Sequence, residues 1–161
     1  TLRLKMVVVE LFIFILKIKI NLSSYLRDEY NQAKIKYFKK RKIFGVKYKK
    51  EICAIMCFGF TDEVPSTVKE LDLMTRDAYL RSVRRDQNIG QIAIAYTIWS
   101  KKKGGGKLIV KEVFKLVKKS NHLNRLITLS PLTEMARNFH LNNGAIELQV
   151  NQDTQNFEYK I

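Results

Sequence analysis

The sequence predicts an α/β fold, and three observations carry that prediction. Apolar runs of strand length alternate along the chain with segments whose apolar residues recur at helical spacing. At 161 residues, with 46% hydrophobic residues, 9 Phe and 7 Tyr, the chain can build one domain around a sizeable core. Only 7 Gly and 2 Pro leave little room for linkers, and no internal repeat or low-complexity tract is visible.

Val7 to Ile20 is the most hydrophobic stretch; it is too short for a membrane helix and is interrupted by Glu10, Lys17 and Lys19. No small-residue cleavage pattern comes after it, so it reads as one or two buried strands, and the expectation is no membrane span. Because the chain begins with Thr1, its natural N-terminus is left open. Asn21, Ser23 and Ser24 offer N-caps for a helix from about Ser24 to Phe38, with Tyr25, Leu26, Tyr30, Ala33 and Tyr37 on its inner face. Lys39, Lys40, Arg41 and Lys42 then end that helix. Cations there suit the negative end of the helix dipole, and they suit nucleic-acid phosphates equally well.

Ile43 to Tyr48 and Glu51 to Phe60 read as two strands joined at Lys49-Lys50, a hairpin with a basic tip. Asp62 to Thr67 reads as a loop and Leu71 to Arg85 as a helix with Leu73, Ala78, Tyr79, Leu80 and Val83 apolar. Asp86 to Gly90 turns the chain into Gln91–Trp99, whose β-branched content and length fit a buried strand. Next come the loop Lys101-Lys-Lys-Gly104-Gly105-Gly106-Lys107 and a helix in which Leu108, Ile109, Val113, Phe114, Leu116 and Val117 share a face. Arg125 to Leu129 is a short strand ended by Ser130-Pro131. Thr133 N-caps a helix bearing Met135, Ala136 and Phe139 on an apolar face, and Asn142-Asn143-Gly144 stops it. Ala145 to Val150 and Asn156 to Ile161 alternate as the strands of a closing hairpin.

Charge narrows the partners. The chain carries 30 Lys/Arg against 15 Asp/Glu, a formal +15, and 14 of those cations fall in residues 1–50 against 3 acids. A charge of this size favours polyanions, whether nucleic acid, anionic membrane or an acidic protein. It equally fits a solubilising face with the Lys, Ile, Asn, Tyr and Phe enrichment of an AT-rich genome. Cys53 and Cys57 are the only cysteines; four apart in an apolar run, they share one side of a strand and read as reduced core residues. A reducing compartment, the cytoplasm or another, is the default. His122 and His140 give no metal-ligand spacing with them, so no metal is expected.

The strand, glycine loop and helix from Gln91 to Lys119 are the strongest chemical signal. Glycines let a backbone approach an anion, and the first N–H groups of a helix are unpaired at the positive end of its dipole. Four lysines add charge. A basic glycine turn also serves as a solvated connection. Other chemistries fare worse: the loop lacks the Gly-x-x-x-x-Gly-Lys-Ser/Thr frame, and neither Gly-x-Ser-x-Gly nor His-Glu-x-x-His occurs.

This order of elements resembles the GCN5-related N-acetyltransferase (GNAT) superfamily. Two local patterns carry the resemblance. Lys101-Lys-Lys-Gly104-Gly105-Gly106 occupies the place of the family's Arg/Gln-x-x-Gly-x-Gly/Ala loop, with lysine as its first residue. Ala136-Arg-Asn-Phe-His140-Leu-Asn-Asn-Gly144-Ala145 keeps the alanine–glycine spacing of the family's last helix, with His140 where tyrosine is usual. The resemblance implies a mixed sheet of about six to seven strands with flanking helices, splayed between its fourth and fifth strands. It also implies a single domain over 1–161, with 1–42 a basic strand–helix part and 43–161 an acyl-CoA-binding core.

The resemblance likewise implies a site. Backbone groups near Tyr96, Thr97 and Ile98 would pair with the pantetheine arm of acetyl-CoA like an added strand. N–H groups of Lys103, Gly104, Gly105, Gly106, Lys107 and Leu108 would hold the pyrophosphate, with Lys101 supplying charge without the fork geometry of arginine. His140 would be the general acid for the departing thiolate, or else a histidine on the outer side of its helix or a half-buried one with a structural bond. Glu51, Asp77 and Ser130 are candidates for the base, and a water would also serve. The activity implied is transfer of an acyl group from acetyl-CoA, as cosubstrate, to an amine. The acceptor would be a nucleic-acid-linked amine, an acidic protein or a small molecule rather than a polycation. The alternative from another class is an inactive basic module on this fold, bound to nucleic acid or built into a large assembly. An open cleft beside Gly104–Gly106 would favour the enzyme; a filled cleft with Lys39–Lys42 on phosphate would favour the module.

Overall fold

The computed structural model describes residues 41–48, 51–85 and 90–161. The strand region at Val7–Ile20, the helix at Ser24–Phe38, and Lys39 and Lys40 lie outside the described residues. The elements are β1 (Arg41–Tyr48), β2 (Glu51–Thr61), α1 (Val68–Arg85), β3 (Ile92–Ser100), α2 (Gly105–Lys119), β4 (Arg125–Pro131), α3 (Glu134–Asn142), β5 (Ile146–Val150) and β6 (Thr154–Tyr159). The described strands form one six-stranded sheet in the order β1-β2-β3-β4-β6-β5. Among them only β3 and β4 run parallel, and α2 makes the crossover between them; every other described neighbour is antiparallel. The expected mixed α/β sheet is therefore present.

Each face is covered by helix. On one face Ile109, Val110, Val113 and Val117 of α2 lie over Ala54, Met56, Phe58, Ala93 and Ala95. On the other, Leu71 of α1 packs with Ile92, Ile94, Ile127 and Leu129. Helix α1 comes this close because β2 has a glycine under it: a Cβ on Gly59 would stand 2.9 Å from Thr75 Oγ1 and 3.0 Å from Leu71 Cδ1. Among its described side chains Leu71, Thr75 and Ala78 are the buried ones, whereas Leu73 and Leu80, counted among its apolar members, are exposed. The helix starts three residues before Leu71, held by a Thr67 cap: Glu70 N–H donates to Thr67 Oγ1 at 3.1 Å, and the Glu70 carboxylate reaches back to accept from Ser66 N–H at 2.7 Å.

Two further departures from expectation have local causes. Arg41 and Lys42 do not end a helix; they open β1 opposite Gly59 and Phe58, where strand pairing overrides the capping logic of the basic run. Strand β4 continues through Ser130 and Pro131, because both pair with β6 and the missing proline N–H is no loss at this end. Cys53 and Cys57 are buried and not disulfide-bonded. No helix among the described residues is long and apolar enough to cross a membrane.

Candidate active site

Strands β3 and β4 pair over only four positions, from Ile92 with Arg125 to Ala95 with Thr128. The reason lies one residue further along β3. Against β2, Cys57 faces Thr97 and Phe58 faces Ala95, so Tyr96 is the extra residue of a β-bulge. A bulge bends its strand and raises the local twist, and here it turns β3 away from β4. Beyond it, Leu129, Ser130 and Pro131 pair only with β6, and Thr97 to Ser100 pair only with β2. The sheet is splayed at this point.

A cavity of roughly 450 Å³ opens in the splay. Its walls come from Tyr96 to Ser100 on β3, Leu129 to Pro131 on β4, Gly106 on α2, and Ala136, Phe139 and His140 on α3. No charged side chain lines it among the described residues. A neighbouring cavity of roughly 490 Å³ is lined by Ser100, Lys101 to Gly104, Gly106, Lys107, Phe139, Asn142 and Asn143. Apolar and hydroxyl groups therefore give way to lysines and helix N–H groups along one groove.

The three glycines of the loop act differently. Gly104 is in the left-handed region, φ 84°, and caps α2. Gly105 is buried under the sheet: a Cβ there would stand 2.6 Å from Ser100 Oγ and 3.2 Å from Ala54 Cβ. Gly106 faces the Phe139 ring, which a Cβ would meet at 3.1 Å. The loop is tied down by Lys101 N–H on Cys53 O (2.7 Å) and Ser100 Oγ on Lys102 O (2.6 Å). Of the expected anion donors, Gly105 N–H is already given to Lys102 O and Leu108 N–H to Gly104 O, each at 3.0 Å. The N–H groups of Gly106 and Lys107 are left at the helix N-terminus for an outside acceptor. Lys101 lies 3.8 Å from Glu51, both exposed.

At the inner end, α3 places His140. Thr133 caps the helix by accepting from Ala136 N–H at 3.2 Å, and Gly144, φ 89°, ends it. Gln155 fastens the turn into it, donating to Pro131 O (2.8 Å) and Thr133 O (3.0 Å). These constraints hold Phe139 and His140 inward and leave Met135, expected on the apolar face, 82% exposed. His140 is only 3% exposed. Its Nε2 lies 2.9 Å from Ser130 Oγ and its Nδ1 2.9 Å from the Tyr159 hydroxyl, while its ring stacks on Phe157. Ser130 Oγ is also 3.1 Å from Thr128 Oγ1. Burial lowers the His140 pKa to about 4 and raises that of Tyr159. At neutral pH both are uncharged.

The structure thus brings together Tyr96, Thr97, Ile98, the Lys101–Leu108 loop, Ser130 and His140. It does not bring in Glu51, which sits on the lysine loop, or Asp77, which is exposed on α1 beside Arg76. Sequence reasoning missed Tyr159 and Gln155. Both lie on the last strand, which is buried on both faces from Gln155 to Tyr159, so the alternation expected from Asn156 onward could not single them out.

No protein-family model and no curated protein sequence matches this chain. Its fold does match solved structures. The loading GNATL domain of CurA from Lyngbya majuscula shares it with a TM-score of 0.63 at 11% identity, over 98% of this chain and 96% of that one. The PaiA N-acetyltransferase of Thermoplasma acidophilum, solved with coenzyme A, gives 0.58 at 11% identity, over 99% and 98%. The Campylobacter jejuni N-acetyltransferase PseH, solved with acetyl coenzyme A, gives 0.53 at 14% identity, over 86% and 82%. A malonyl-CoA decarboxylase from Cupriavidus metallidurans matches over 86% of this chain but only 33% of its own, with a TM-score of 0.50 at 17% identity. At such identities the likeness is one of fold. By these structural matches, this chain has the fold of the GNAT acyltransferases.

Proposed function

We propose that the chain is an acetyl-CoA-dependent N-acyltransferase, and the observation that carries this is the open splay. A pantetheine arm laid between β3 and β4 would find the backbone edge of Tyr96 to Trp99 on one side. The pyrophosphate would lie at Gly106 and Lys107 N–H, among Lys101, Lys102, Lys103 and Lys107. The acyl carbonyl would end near Ser130 and His140. Solved structures of this fold hold coenzyme A or acetyl coenzyme A. A third cavity of roughly 450 Å³, lined by Lys107, Lys111, Phe114, Asn142 and Lys160, continues the groove and suits the nucleotide end of the cosubstrate.

Acyl transfer needs a polarised carbonyl, an uncharged amine and a proton for the leaving thiolate. The β3 backbone would polarise the carbonyl. His140 does not act as an imidazolium acid, because burial pushes its pKa down to about 4 and the ring is neutral at neutral pH. It works as a neutral ring. A formal +15 disfavours a polycationic acceptor, so an acidic protein, a nucleic-acid-linked amine or a small molecule fits better. The open cavity supports this reading over an inactive basic module, whose cleft would be filled.

Calorimetry with acetyl-CoA at two salt concentrations tests it, alongside Ala136→Trp, which fills the cavity without altering charge. Micromolar binding that survives salt and is lost in the variant is expected. Binding that is absent, or equal in both proteins and screened away by salt, would overturn the proposal.

A further inference from the structure

The row Tyr159, His140, Ser130, Thr128 is buried along one wall of the cavity, and its hydrogen-bond direction decides what Ser130 can do. A neutral imidazole donates from one nitrogen and accepts at the other. If Nδ1 carried the hydrogen, Nε2 would accept from Ser130 and Ser130 would be poised as a nucleophile. If Nε2 carries it, Ser130 receives a hydrogen bond and its own hydrogen is free for another acceptor.

We propose that Tyr159 donates its hydroxyl hydrogen to His140 Nδ1 and so fixes the Nε2–H tautomer, making Ser130 the proton donor of the acyl-transfer site rather than its nucleophile. The proposal deepens the acyltransferase reading and rests on it for the reaction. Three observations carry it. A phenol is a far better donor than acceptor, and Tyr159 is 5% exposed with Nδ1 at 2.9 Å. Besides Tyr159, the His140 ring is surrounded by Phe139, Phe157 and Ser130, and among the described residues no carboxylate draws a hydrogen to Nδ1. Thr128 Oγ1 stands 3.1 Å from Ser130 Oγ as a resting acceptor for the serine hydrogen. Ser130 lines the cavity in the splay, whereas Tyr159 lines only the third cavity beyond Lys107.

In the transfer step the amine nitrogen bonds to the carbonyl carbon, the carbon–sulfur bond breaks, and the proton lost by nitrogen ends on sulfur. Ser130 swings its hydrogen from Thr128 to the sulfur and regains one from the nitrogen. His140 and Tyr159 keep theirs throughout. Ser130 is then the catalytic residue, and His140 and Tyr159 are positioning residues.

The tautomer can be read directly. The sequence contains two histidines, so ¹⁵N-histidine labelling with His122→Gln leaves a single imidazole to observe by long-range ¹H–¹⁵N correlation at neutral pH. The expected result is hydrogen on Nε2 alone, and a mixture of tautomers in Tyr159→Phe with the fold retained. Hydrogen on Nδ1, or a tautomer unmoved by Tyr159→Phe, would overturn the proposal. This readout needs no acyl-CoA, so its failure is distinct from failure to bind acetyl-CoA. With an acceptor in hand, Ser130→Ala should lower kcat about 100-fold at unchanged acetyl-CoA KM. Acetyl trapped on Ser130 in the intact-protein mass would contradict the donor role.

Discussion

Strands β3 and β4 are two regions in one. From Ile92 to Ala95 they pair and are sealed from both sides, with Ile94 and Ile127 at 0% exposure. From Tyr96 to Ser100 the same strand stands apart from β4 and lines a cavity. One inserted residue separates the two, and it leaves a packed end and an end that opens into a cavity. The closed end is rigid because its backbone groups have ladder partners. The open end keeps a strand edge available and relies on α2 and α3 to flank it.

The two ends should differ most in what a truncation costs. Ile127→Ala should cost about 2–5 kcal/mol in urea unfolding, because the site is enclosed on all sides and collapses poorly. Ile98→Ala, at the open end, should cost clearly less and instead weaken acetyl-CoA binding. Next in size is the buried histidine. Its folded pKa, about 4, lies below the unfolded value near 6.5, so the unfolded chain binds the extra proton first as pH falls. Stability is full above about pH 6.5 and falls by roughly 3 kcal/mol on approaching pH 4; His140→Gln should flatten that limb.

A smaller effect is expected at the far end of β4. There Glu158, 4% exposed at its side chain, accepts from Arg125 at 2.8 and 3.1 Å and from Lys160 at 2.9 Å. The Arg125 hydrogen bond holds its carboxyl below the usual range. Arg125→Gln should therefore cost about 1–3 kcal/mol at neutral pH, as measured by chemical denaturation. The difference should vanish as pH falls through the folded pKa of Glu158, since a depressed pKa contributes only while the carboxylate is charged. Smallest is Gly104→Ala, about 1 kcal/mol, because the added methyl meets open space and only the left-handed backbone resists it.

The closed end was more legible in the sequence than the open one. Strand and helix periods located the described elements to within a few residues, since packing against a core imposes periodicity. Where local chemistry overrides periodicity, legibility failed. Thr67 and Glu70 formed a readable capping signal that the apolar pattern from Leu71 concealed. Ser130-Pro131 read as a stop although the ladder with β6 runs through it. The bulge at Tyr96 left no mark, because an extra residue in an apolar run looks like the run. The glycine loop was legible as a turn into a helix N-terminus, but which N–H groups lack an internal acceptor depends on the turn closed by Lys102 O. His140 was legible as a position and not as a state; its burial beside Phe157 and Tyr159 is set by a strand distant in sequence.

Amide hydrogen exchange of the whole chain with and without acetyl-CoA, resolved by residue along β3 and into α2, probes the divided strand most directly. Ile92 to Ala95 should be protected in both states, and acetyl-CoA should slow exchange in the Thr97–Trp99 stretch and at Gly106 and Lys107. Slowing confined to the lysine loop, with the Thr97–Trp99 stretch unchanged at saturating ligand, would contradict a cosubstrate seated in the splay.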